Sequence, residues 1–130
     1  MERIVRGFLV DVTTGEAKVV VFEDKLENIY NLLNVELIDV TERKIGEHVY
    51  DIVCDDEGLL KPNVPSAYNG KGEPVLVGSL LLVNHDEEGN FCDLTNEQIV
   101  ELKGKVRGAM VVENTKVQVL QVLTGVEYAI

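Results

Sequence analysis

The stretch RIVRGFLVDVTTGEAKVVVFE, residues 3–23, decides the fold class. Residues 3–12 are apolar and rich in β-branched side chains, Thr13-Thr14-Gly15-Glu16 has turn composition, and residues 17–23 return as a second apolar run. Two strands joined by so short a turn form a hairpin, and a chain that opens on a hairpin builds an antiparallel sheet.

The pattern continues outward. Asp24 stands in the N-cap position of a helix, with Glu27 three residues on and Leu26, Ile29, Tyr30, Leu32 and Leu33 at helical spacing. Residues 35–42 alternate like a half-wet strand, residues 43–46 (RKIG) read as a turn, and residues 47–54 read as the next strand. Residues 59–74 hold Pro62, Pro65, Pro74, Gly70 and Gly72 and read as a long irregular loop, the kind of segment that often carries function. Residues 75–84, VLVGSLLLVN, read as one buried strand.

Thr95 and Gln98 form a capping box that opens a helix over 96–103, with Gly104 near its end. Residues 108–113 read as a strand. Residues 116–124 divide between helical spacing (Val119, Val122, Leu123, then Val126) and a β-branched composition, and composition favours strand. The expected fold is α+β: a mostly antiparallel sheet of about 5–7 strands packed with two short helices. No linker divides residues 1–130, so one domain is expected, with residues 104–130 as an added β-rich tail.

Composition narrows the function. At 130 residues and 45% hydrophobic content the chain is long and apolar enough for a real core. Aromatics make up 5%, with no Trp, which leaves little for stacking on bases. The net charge of −11 repels nucleic acid and anionic membrane but leaves open a basic partner. The N-terminal residues lack a signal-peptide pattern, and no apolar run reaches the roughly eighteen residues of a membrane span. Cys54 and Cys92 lie far apart without a C-x-x-C, which fits reduced thiols in a cytoplasm and no zinc framework, although both flank strand ends and a spatial pairing stays open.

Two acidic stretches echo each other: DDEG at 55–58, after Cys54, and DEEG at 86–89, after His85. An EF-hand anchored on Gly89 offers Asn84, Asp86 and Glu88 but reaches Thr95 where a bidentate Glu is needed, and anchoring on Gly58 puts Val53 and Val64 at the ends. Both stretches therefore read as turns at strand ends, and no metal or cofactor is expected. Asp51 interrupts an apolar strand, on the same side as Val49 and Val53. Ser66 and Ser79 lack a nucleophile-elbow setting, and NGKGE at 69–73 lacks the spacing of a phosphate loop. The basic run KGKVR, 103–107, sits where cations favour a helix C-terminus.

The order VCDDEGLLK (53–61), a loop with Pro and Asn69, VLVGSLLLV (75–83), DEEGNF (86–91) and LTNEQI (94–99) resembles a family of small proteins from phages, plasmids and integrated elements of bacteria, labelled domain of unknown function 3846. The resemblance covers residues 3–103. Asp55 stands where that family more often has Asn, and Asn96 where it more often has Asp. No activity comes with it; it implies a mobile element in a bacterial cytoplasm.

Three functions compete. The first is a non-enzymatic accessory protein that binds a host or element protein, with self-association also open. The second is a binder of a small anion such as a nucleotide, using Arg43, Lys61, Asn69 and Lys71 around the proline loop. The third is a hydrolase using Asp51, Asp55 or His85. No catalytic residue is assigned from sequence.

Overall fold

The computed structural model describes residues 3–61 and 63–129, the side chain of Glu113 excepted; Pro62 of the expected loop lies outside them. The opening hairpin is present, with β1 (Ile4–Asp11) and β2 (Glu16–Glu23) pairing from Ile4↔Glu23 to Asp11↔Glu16. Helix α1 (Leu26–Leu33) follows and buries Ile29 and Leu33. Its N-cap is Lys25, with no side-chain cap, and not Asp24. The Asp24 N–H is committed to Arg3 O at 2.7 Å, so that residue still belongs to the mouth of the hairpin.

Strands β3 (Ile38–Ile45) and β4 (His48–Asp55) form the second hairpin. Its turn is Gly46-Glu47, not 43–46, because Gly46 takes the left-handed conformation (φ 63°) that a two-residue connection demands. A short 3-10 turn, Gly58–Leu60, begins on the glycine of DDEG.

The expected loop over 59–74 is largely a hairpin: β5 (Pro65–Tyr68) pairs with β6 (Pro74–Val77), and each strand begins on a proline, where the missing N–H costs least. The expected single strand over 75–84 is two. Gly78 turns the chain at φ 75°, and β7 (Leu80–His85) then joins a different sheet from β6. An uninterrupted apolar run carries no mark of such a switch apart from the glycine itself.

Strand β8 (Phe91–Cys92) pairs with β7, and α2 (Asn96–Lys105) starts on a complete Thr95–Gln98 capping box. The chain ends in β9 (Val106–Glu113), β10 (Lys116–Leu123) and β11 (Val126–Tyr128), which settles the ambiguous segment as strand.

The strands of the described residues make two sheets. Seven form an antiparallel sheet in the order β11-β3-β4-β7-β1-β2, with β8 on β7; the other four run β6-β5-β10-β9. The α+β expectation holds. One face of the larger sheet packs α1 through Val5, Leu9, Val53, Leu81 and Val83. The opposite face packs α2 and the smaller sheet through Phe8, Tyr50, Ile52, Leu80, Leu82, Leu102 and Leu123. No helix among the described residues is long and apolar enough to cross a membrane.

Candidate functional site

Strand alternation assembles the most concentrated group of chemically active side chains. Glu42 on β3 is the direct cross-strand partner of Asp51 on β4, and Asp51 is paired with Val83 on β7. His85, two residues beyond Val83, lies on the same face. The Nδ1 of His85 meets Asp51 Oδ2 at 2.5 Å. One ligand atom each from Glu42, Asp51 and His85 falls within 4.8 Å of the other two. Asp51 is 6% exposed, while Glu42 and His85 reach solvent. The Asp51 carboxylate, with Glu42 and Asp86 behind it, raises the His85 pKa above the ordinary imidazole value. The alternation expected for Asp51 is present; its burial and its pairing with His85 are visible only in three dimensions.

A second polar network lies under α2. Glu101 Oε1 accepts from the Tyr50 hydroxyl at 2.7 Å and contacts His48 Nδ1 at 2.8 Å, and Oε2 accepts from the Glu47 N–H at 2.9 Å. Burial works against the Glu101 charge, but these three contacts outweigh it and hold the carboxyl below its usual value. Burial and the facing Glu101 push the Tyr50 hydroxyl far above the ordinary phenol range. Gln98 joins α2 to the sheet by exchanging two hydrogen bonds with Asn84, at 2.7 and 2.9 Å. An open cleft of about 580 Å³ runs along this helix between Glu47, His48, Val100 and Lys105. Both carboxylate oxygens of Glu101 are engaged internally, so the network reads as the attachment of α2.

The acidic stretches are turns. Asp86 accepts the Glu88 and Asn90 N–H groups and closes the β7–β8 connection, with Gly89 at φ 85°. The Arg3 guanidinium and the Asn90 N–H hold the Asp86 carboxyl down at about 2. Asp55 accepts the Glu57 N–H and pairs with Lys61 at 3.0 Å. Cys54 and Cys92 are free thiols, and burial pushes Cys54 up to about 11.

The four residues expected to hold an anion fall in two places. Arg43 lies over the Tyr128 ring at 4.5 Å and donates to Thr41, and it lines a cleft of about 260 Å³ together with Asp39, Asp55 and Asp56. Lys61 reaches the same Asp55. Asn69 and Lys71 belong to the β5–β6 turn, where Asn69 Oδ1 accepts the Lys71 and Glu73 N–H groups at 2.9 and 3.0 Å. Of the hydrolase candidates, Asp51 and His85 come together, while Asp55 is held by Lys61.

The β9–β10 hairpin supplies a feature that no motif announced. Met110 faces Val119 and Val112 faces Val117 across the pair, so these four side chains stand on one side of it. They are 61–72% exposed. The Val-rich composition marks both strands, but only the register shows that the apolar residues form one patch.

No curated protein and no solved structure matches the chain. Residues 5–107 match the domain of unknown function DUF3846, which takes in β1 through α2 and ends at the start of β9, and the chain belongs to that family.

Proposed function

We propose that this protein acts without catalysis, by binding another protein through the outer face of the β9–β10 hairpin, as an accessory factor of a bacterial phage or mobile element. The observation that carries the reading is the contiguous apolar patch of Met110, Val112, Val117 and Val119, left uncovered by the rest of the chain. Soluble chains rarely leave such a patch bare without a use for it. The patch also lies beyond residue 107, where the family match stops.

Charge selects the occupant. A chain of net charge −11 meets long-range repulsion from a second copy, none from a neutral partner and attraction from a basic one. A small anion finds less in this geometry, because the cleft beside Arg43 also carries Asp39, Asp55 and Asp56.

The test is site-specific photo-crosslinking in the bacterial host, with the crosslinker at position 112 and a control at the exposed Leu59. A single partner of neutral or basic charge, captured at 112 and lost in the Val117→Ser, Val119→Ser variant, is the expected outcome. Capture of the same proteins at both positions, or of a second copy of the chain alone, overturns it.

A further inference from the structure

We infer that Glu42, Asp51 and His85 form a binding site for a divalent transition-metal ion of the zinc type, with three protein ligands and the remaining coordination positions open to water. The inference is independent of the protein-binding role.

The first support is an unbalanced charge. Glu42 and Asp51 are direct cross-strand partners, an arrangement in which like charges destabilise a sheet. One of the two is almost wholly buried. A carboxylate offers about four lone-pair positions. The Asp51 side chain fills one of them, with His85, and makes no other hydrogen bond among the described residues. Lys44 lies two residues along the same strand face and makes no ion pair with either carboxylate among the described residues. Two facing carboxylates therefore share a single imidazole partner.

The second support is the donor set. An imidazole nitrogen with two carboxylate oxygens suits zinc and its neighbours, whereas magnesium and calcium prefer oxygen alone. Ligand atoms of one tetrahedral zinc ion stand about 3.3 Å apart, given bonds of about 2.0–2.1 Å. The three ligand atoms lie within 4.8 Å of one another, with His85 and Asp51 at 2.5 Å. Small rotations of the two exposed side chains, Glu42 and His85, close that difference while Asp51 stays fixed in the sheet. Glu42 and His85 face solvent, so an ion held here keeps water in its free positions, as open zinc sites do.

The experiment is calorimetric titration of the chelator-stripped full chain with zinc chloride, and with magnesium and calcium chloride in parallel. Cobalt chloride serves as a visible-absorption probe of coordination. One zinc ion per chain is expected, with no matching magnesium or calcium heat. Affinity should fall tenfold or more in Glu42→Gln, Asp51→Asn and His85→Ala and stay unchanged in His48→Ala. Glu42 is exposed, so Glu42→Gln keeps the fold and decides the matter if either of the other variants unfolds. Absence of zinc binding, equal binding of magnesium, or full zinc affinity in Glu42→Gln overturns the site.

Discussion

At the residue scale, burial separates groups that look alike in the sequence. Cys54 and Cys92 both sit at strand ends, but Cys54 is buried and its thiol is pushed up to about 11 by burial first and by Asp39 and Asp55 next. At pH 8 about one molecule in a thousand then carries the reactive thiolate, against about a quarter for an ordinary thiol. Iodoacetamide should therefore leave Cys54 of the native chain unmodified at pH 8 and label it rapidly in denaturant, as mass spectrometry of the peptides would show. Rapid native labelling of Cys54 would mean that the β3–β4 edge opens readily. Residue-scale chemistry was only half legible beforehand. Asp51 stood out as a carboxylate inside an apolar strand, yet Glu42 did not, because nothing but the β3–β4 register places it opposite Asp51.

At the element scale, the β9–β10 turn carries strain that can be measured. Asn114 and Thr115 both adopt left-handed backbone, at φ 48° and 67°. Asn tolerates that region, whereas a β-branched residue rarely does. Thr115→Gly should stabilise the chain by about 1 kcal/mol, less the extra entropy that glycine gives the unfolded state. The thermal midpoint should rise by about 2–4 °C in scanning calorimetry. A fall would show that the Thr115 side chain contributes a contact worth more than the strain. Elements with their own punctuation were readable in advance: the opening hairpin by its T-T-G-E turn, and α2 by its capping box. The β6–β7 break was hidden, since Gly78 lies in a run as apolar on one side as on the other. The β5–β6 hairpin was hidden because prolines suggest irregular chain, although here each one starts a strand.

At the scale of the whole molecule, the family match and the folding unit do not coincide. The match ends at residue 107, but Leu120, Val122, Leu123 and Val126 lie beyond it and are at most 3% exposed. Each such side chain contributes about 1.5–3 kcal/mol by burial. Together they rival the roughly 5–15 kcal/mol by which a domain of this size is stable. A chain cut after residue 105 should therefore lose its cooperative thermal transition by circular dichroism, despite keeping nearly the whole matched region. A sharp transition in the shortened chain would make the tail a true appendage.

The pairing of β11 with β3 also has a consequence for synthesis. Val126 meets Ile45, and among the described residues no other strand covers the outer edge of β3. At about 5–20 residues per second, the ribosome takes on the order of ten seconds to make the intervening chain. Through that interval a nascent edge of free N–H and C=O groups faces the crowded cell. Glu42, Arg43 and Lys44 lie in succession along this strand, and a run of charged side chains is a poor template for a stray strand. The same short run that supplies one of the proposed metal ligands would thus guard the growing chain against aggregation until β11 arrives.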